Sequence, residues 1–257
     1  MSTVSLRGPA RLVARQHRLV PWIGGALVLA WTALVAGAWW FMSSAADDFA
    51  GTGCSVQHTV RGCGIQVRHL LSVELHYGRL FDYAGPAMTA LPVLIGLLVA
   101  GPVIGRELED GTYRLSWSQS VSPAGWLAAR LAVPAAVTVA GVAALSAVYA
   151  WGWSRTTATH YPVHSSEPLV YRAMGPVPVA SSLLCLALGA LIALLVRRTL
   201  PSMALTAVLS TAVIVALGAA RPGGGFWPLQ LAETALLLVL TAATTALAFR
   251  VLRRHHA

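Results

Sequence analysis

Six stretches of the chain are apolar for about 20 residues at a time: Val20–Met42, Ala84–Ile104, Leu131–Ala150, Pro176–Val196, Leu200–Ala219 and Leu229–Phe249. A helix of about 20 apolar residues crosses roughly 30 Å of hydrocarbon, so the pattern predicts six transmembrane helices. Glu233, close to the start of the last stretch, is the one acid or base within them. Arg197 and Arg198 divide what would otherwise read as a single apolar run, and Pro201 suits the first turn of the helix that follows. Trp22, Trp39, Trp40, Trp126, Trp151, Trp153 and Trp227 lie near the ends of the stretches, where indole rings favour the water–lipid boundary. The expected fold class is an all-α membrane protein: one transmembrane domain over residues 1–257, with no nucleotide-binding domain.

The connecting segments alternate between two sides. Residues 1–19, 105–130, 197–199 and 250–257 carry 12 arginines, whereas 43–83, 151–175 and 220–228 carry 6 although they are longer in total. Arginine is retained on the cytoplasmic side of a bilayer, which predicts that both termini face the cytoplasm. The basic start and the small residues Ser43 to Ala46 also fit a signal peptide. A signal core is only about 7–15 residues long, however, and the first stretch is longer, so a retained span is expected.

Residues 6–20 have helical phase. At 100° per residue, Arg7, Arg11, Arg15 and Arg18 fall on one face, with Leu12, Val13, Leu19 and Val20 on the other. This is the pattern of a helix lying in the headgroup plane; a basic flank that merely orients the first span is the plainer reading.

The segment 105–130 holds three acids, Glu107, Glu109 and Asp110. Gly111 is expected to interrupt the helix leaving the second span. Ser122 followed by Pro123 reads as an N-cap and first helical residue, starting a helix that runs through the third span and projects from it. Between them, a short turn displaying Tyr113 and Trp117 suits either docking to a soluble partner or an ordinary solvated connection. Gly101 and Gly105 form a G-x-x-x-G pair at the end of the second span, a packing face in one reading and a chance of small-residue composition in the other.

On the opposite side, Cys54 and Cys63 lie in the segment 43–83. An oxidising exterior makes a disulfide between them the expectation. Residues 65–81 fit an amphipathic helix on that surface, and Cys185, inside the fourth stretch, reads as a small buried apolar residue. His69, Glu74, His76, His160 and His164 do not reproduce the spacing of a zinc site, so no metal is expected.

Composition narrows the function. Only 11% of residues are charged and 56% are hydrophobic, too few charges to clothe a water-facing surface. All 18 basic residues are arginine. Without lysine the chain has no Walker A lysine and no Schiff-base nucleophile. Its basic balance is dispersed between apolar runs, unlike the clustered patches that grip nucleic acid. There is no G-x-S-x-G or C-x-x-C motif and no pair of carboxylates at bilayer depth, so no catalytic residue is assigned and no ion-coupling relay is expected. Any nucleotide energy must enter through another chain.

The segment Gly-Pro-Val-Ile-Gly-Arg-Glu-Leu-Glu-Asp-Gly-Thr-Tyr-Arg-Leu-Ser-Trp-Ser-Gln-Ser-Val, residues 101–121, followed by Trp126-Leu127-Ala128, resembles the permease subunits of type 2 ABC exporters. It is most similar to the actinobacterial branch, whose loop reads approximately G-A-P-L-x-A-R-E-x-E-x-G-T-x-R-x-A-W-T-Q-S-V. The resemblance covers about 28 residues closely, and the six-span layout extends it over the chain. It implies that the basic helix before the first span is a connecting helix. It also implies that residues 106–122 carry a coupling helix seated on an ATPase subunit, with Glu107, Glu109, Gly111, Thr112, Arg114, Trp117, Gln119 and Ser120 at matching positions. Two permease chains, identical or different, would act with two ATP-binding subunits in the cell membrane. The permease itself would hold no cofactor, ATP being bound by the partner. Where family members often carry basic residues after Ser-Val, this chain has Ser122-Pro123-Ala124-Gly125. A non-transporting multi-pass protein, such as an immunity, sensor-associated or structural subunit, is the alternative. Small apolar walls suit a lipophilic or amphiphilic cargo.

Overall fold

The computed structural model describes residues 19–57, 62–112, 122–156, 167–221 and 224–254. These residues are helical, with no strand among them. The helices are α1 (Leu19–Ala50), α2 (Gly64–Ile95), α3 (Gly101–Glu109), α4 (Pro123–Thr156), α5 (Pro168–Ala173), α6 (Val177–Val196), α7 (Thr199–Ala219) and α8 (Phe226–Arg254), with a π-helical turn, Gly96–Ala100, joining α2 to α3. Six helices are long and apolar enough to cross a membrane, the continuous run Gly64–Glu109 counting as one. Each contains one of the six apolar stretches. The first eighteen residues, with the predicted headgroup-plane helix, lie outside the described residues.

The helices outrun the apolar stretches. At 1.5 Å per residue, the 46-residue run Gly64–Glu109 is about 70 Å long, more than twice the hydrocarbon thickness. The helix expected over 65–81 as a separate surface element is thus the first half of the helix containing the second span. Polar residues extend α1 in the same way. Ser43 and Ser44 donate their hydroxyl hydrogens to the carbonyls of Trp40 and Phe41 at 2.9 and 3.0 Å, satisfying themselves within the helix. The π turn precedes Pro102, whose ring has no N–H and crowds the preceding turn; the Gly101 N–H bonds the Gly96 carbonyl, widening the ladder there.

The described residues fall into two compact units, and α1, α2 and α4 each contribute to both. The first unit contains residues 90–112, the beginning of α4, and α6 to α8. Its centre is α6, whose most apolar window is 67% buried against 17% for those of α7 and α8. Backbones approach closely here. A Cβ added to Gly189 would lie 2.7 Å from the Gly96 carbonyl oxygen, and one added to Gly96 would lie 2.6 Å from that of Cys185. The Gly101/Gly105 pair faces α7, at Met203 and Thr199. Buried hydroxyls cost little because they bond within their own helices: Ser182 to Pro178 and Thr206 to Ser202, each at 2.7 Å. Arg197 adopts a left-handed conformation, φ 54°, and ends α6. Arg198 is extended and α7 starts at Thr199, so the arginine pair makes the tight link.

The second unit contains residues 26–57 and 62–89, the end of α4, and α5. Tyr149 is fully buried with its ring edge-to-face on Phe81, centroids 5.4 Å apart. The Ser146 hydroxyl lies 3.0 and 3.1 Å from the carbonyls of Ala173 and Gly175, holding the end of α5 and the turn after it to α4. Cys54 and Cys63 are joined by a disulfide, and Cys185, in the first unit, is buried with a free thiol.

Candidate functional site

The loop between α3 and α4 is built from two capped helix ends. α3 stops at Glu109, where the Asp110 N–H bonds the Arg106 carbonyl at 2.8 Å. Gly111 follows with φ 69°, a left-handed conformation that glycine adopts without a Cβ clash. On the far side the Ser122 hydroxyl oxygen accepts the Gly125 N–H at 3.1 Å, with Pro123 as the first helical residue. Both ends follow the sequence signals at Gly111 and Ser122-Pro123.

Each acid at the end of α3 engages another part of the chain. Glu107 accepts a hydrogen bond from the Trp126 indole N–H at 3.1 Å and forms an ion pair with Arg130. Trp126 and Arg130 are four residues apart and so share a face of α4. The carboxylate and guanidinium side chains are 22% and 11% exposed, so solvent weakens this pair less than a surface one. Beneath it lies a hydrophobic cluster of Ile104, Trp126, Leu127, Ala193, Leu194 and Leu252. Glu109 reaches across 90 residues of sequence: its Oε2 accepts the Thr199 N–H at 2.9 Å and the Thr199 hydroxyl at 2.7 Å. It thereby caps the first turn of α7, whose own N-cap residue, Arg198, supplies no side-chain bond. Glu109 lies beyond the apolar stretch of its helix. The Thr199 hydroxyl first, then the Thr199 N–H and the charge of Arg198, hold its carboxyl below the ordinary carboxylate range, against a small opposing desolvation.

Of the residues singled out in the sequence, the structure thus ties Glu107 to α4 and Glu109 to α7, and places Gly111 and Thr112 at the end of α3, with the Thr112 hydroxyl 3.5 Å from the Glu107 carbonyl. Arg114, Trp117, Gln119 and Ser120 lie outside the described residues, as do His160 and His164. Among the described residues no three His, Cys, Asp or Glu side chains are grouped to hold a metal. Sequence reasoning missed the three partners of the acids. The four-residue spacing of Trp126 and Arg130 at a helix start was an available signal for two of them; Thr199 offered none. Glu233, in the last span, receives a forked pair of hydrogen bonds from Arg221, at 3.0 to 3.3 Å.

A multi-pass helical membrane protein with two tied acids at one interhelical loop is the class this arrangement defines. A family model described as ABC-2 membrane transporter related matches residues 25–221, more than three-quarters of the chain. The chain belongs to that family and is a permease of the ABC-2 type, the transport component in the membrane. Permeases of the family act in general with an ATP-binding subunit. Neither the curated proteins nor the solved structures compared with the chain gave a match.

Proposed function

We propose that this permease is the membrane-spanning half of an ATP-driven exporter in the cell membrane, a single transmembrane domain that pairs with a second permease copy and with two ATPase subunits that bind the ATP. Both termini face the cytoplasm, and the basic residues before α1 lie along the headgroups as a connecting helix. Residues 106–122 are the coupling element, with Arg114, Trp117, Gln119 and Ser120 meeting the ATPase and Glu107, Glu109, Gly111 and Thr112 fixing the frame that carries them. The cargo is lipophilic or amphiphilic, moved outward by alternating access.

The supporting observation is the double tie at the end of α3. A load applied to residues 113–121 reaches Glu107 and Glu109, hence α4 through Trp126 and Arg130 and α7 through Thr199. Nucleotide-driven closure of the ATPases needs such a path, because a conformational change follows only from contacts that differ between two states. Purification of the full chain in mild detergent tests the reading: an ATP-binding companion is expected to co-purify. Replacing residues 113–119 by a Gly-Ser linker should abolish stimulation of its ATPase while leaving membrane insertion intact. Substrate export by the chain without an ATPase, or labelling of residues 113–120 from outside the cell, overturns the proposal.

A further inference from the structure

The second unit contains a cavity of about 610 Å3, within the ~300–1,000 Å3 range of small-molecule sites. One wall is a single face of α1, carrying Trp39, Met42, Ala46 and Phe49 at helical spacing. α2 contributes Leu70 and Glu74 one turn apart, and the chain from Cys54 to Gln57 closes another side, pinned by the disulfide.

The charges in this lining differ in depth. Glu74 is a buried acid, 7% exposed. Arg155, the one basic residue of the lining, is exposed, and its guanidinium is 5.8 Å from the centre of the Trp39 ring. A ligand entering the cavity therefore meets apolar and aromatic walls with a carboxylate at depth. An indole face and a carboxylate both attract positive charge, and the buried setting strengthens that attraction relative to water. An anion would have to leave its hydration shell to approach Glu74.

The geometry points to a binding site for a lipophilic monocation, its apolar body against Trp39, Phe49 and Leu70 and its charge toward Glu74. The site stands on the cavity alone and is independent of the coupling element, so either proposal can fail without the other.

The full chain purified in a neutral detergent tests it with radiolabelled tetraphenylphosphonium and, as a probe of the same shape and opposite charge, tetraphenylborate. Saturable binding of one phosphonium per chain is expected, tighter than that of the borate. Glu74→Gln keeps the size of the side chain and should weaken phosphonium binding by about tenfold or more. Ala46→Trp, which fills the cavity from the α1 wall, should abolish it with Glu74 in place, so the test survives poor folding of the first variant. Absence of saturable phosphonium binding to the unmodified chain overturns the site. So does equal or tighter borate binding, or phosphonium binding by a folded Ala46→Trp chain equal to that of the unmodified one.

Discussion

The Glu107 carboxylate lies 3.1 Å from the indole nitrogen of Trp126, joining the helix that enters the α3–α4 loop to the helix that leaves it. Nineteen residues separate the pair, so this one contact closes the loop, with Arg130 pairing with the same carboxylate. Glu107→Ala removes an acceptor from Trp126 and the counter-charge from Arg130, and should cost about 1–3 kcal/mol of stability. Glu107→Gln keeps an acceptor oxygen and should cost less. Thermal unfolding of the full chain in detergent measures both. In the double variant Glu107→Ala/Arg130→Met the loss should be smaller than the sum of the single losses; strict additivity would show that the ion pair contributes nothing.

The disulfide closes a ring across a sequence separation of 9. Restricting a loop of about ten residues in the unfolded chain is worth about 2–3 kcal/mol in the chain-entropy description. Cys54→Ser/Cys63→Ser should be destabilised by that amount in chemical unfolding of the purified chain. A reducing agent should lower the unmodified protein toward the same midpoint and leave the double variant unchanged. Equal stability of the two proteins under oxidising conditions would show that the bridge does not constrain the unfolded state.

The six apolar stretches were legible because crossing a bilayer demands about 20 apolar residues in succession, a signal that no local interaction can counterfeit. The helix ends at Gly111 and at Ser122-Pro123, and the arginine link between α6 and α7, were legible because they depend on adjacent residues. The extension of α1 through Ser43 and Ser44 was not, since hydroxyls that bond back within their helix leave no apolar period. Nor was α5, a single short turn whose buried residues Val170, Tyr171 and Ala173 give no periodic pattern. At the candidate site the motif marked Glu107 and Glu109 as distinctive. Their tie to Thr199, 90 residues away for Glu109, is a property of the fold and has no sequence counterpart.

Glycine in these helices has two opposite consequences, and substitution should separate them. At Gly189 an added methyl group meets the Gly96 carbonyl oxygen at 2.7 Å and the Ala100 Cβ at 2.8 Å. Both are fixed by backbone, so relief requires α6 to move from the π turn. Gly189→Ala should therefore cost about 1–3 kcal/mol, the usual range for overpacking a filled interior. At Gly78, in the polar half of α2, nothing lies within 4 Å of an added Cβ and the backbone is already helical. There alanine reduces the freedom of the unfolded chain without a clash, and Gly78→Ala should stabilise by about 0.5–1 kcal/mol. Unfolding midpoints of the two single variants should thus move in opposite directions. A Gly189→Ala chain as stable as the unmodified protein would mean that α6 and the π turn are farther apart than the close approach requires.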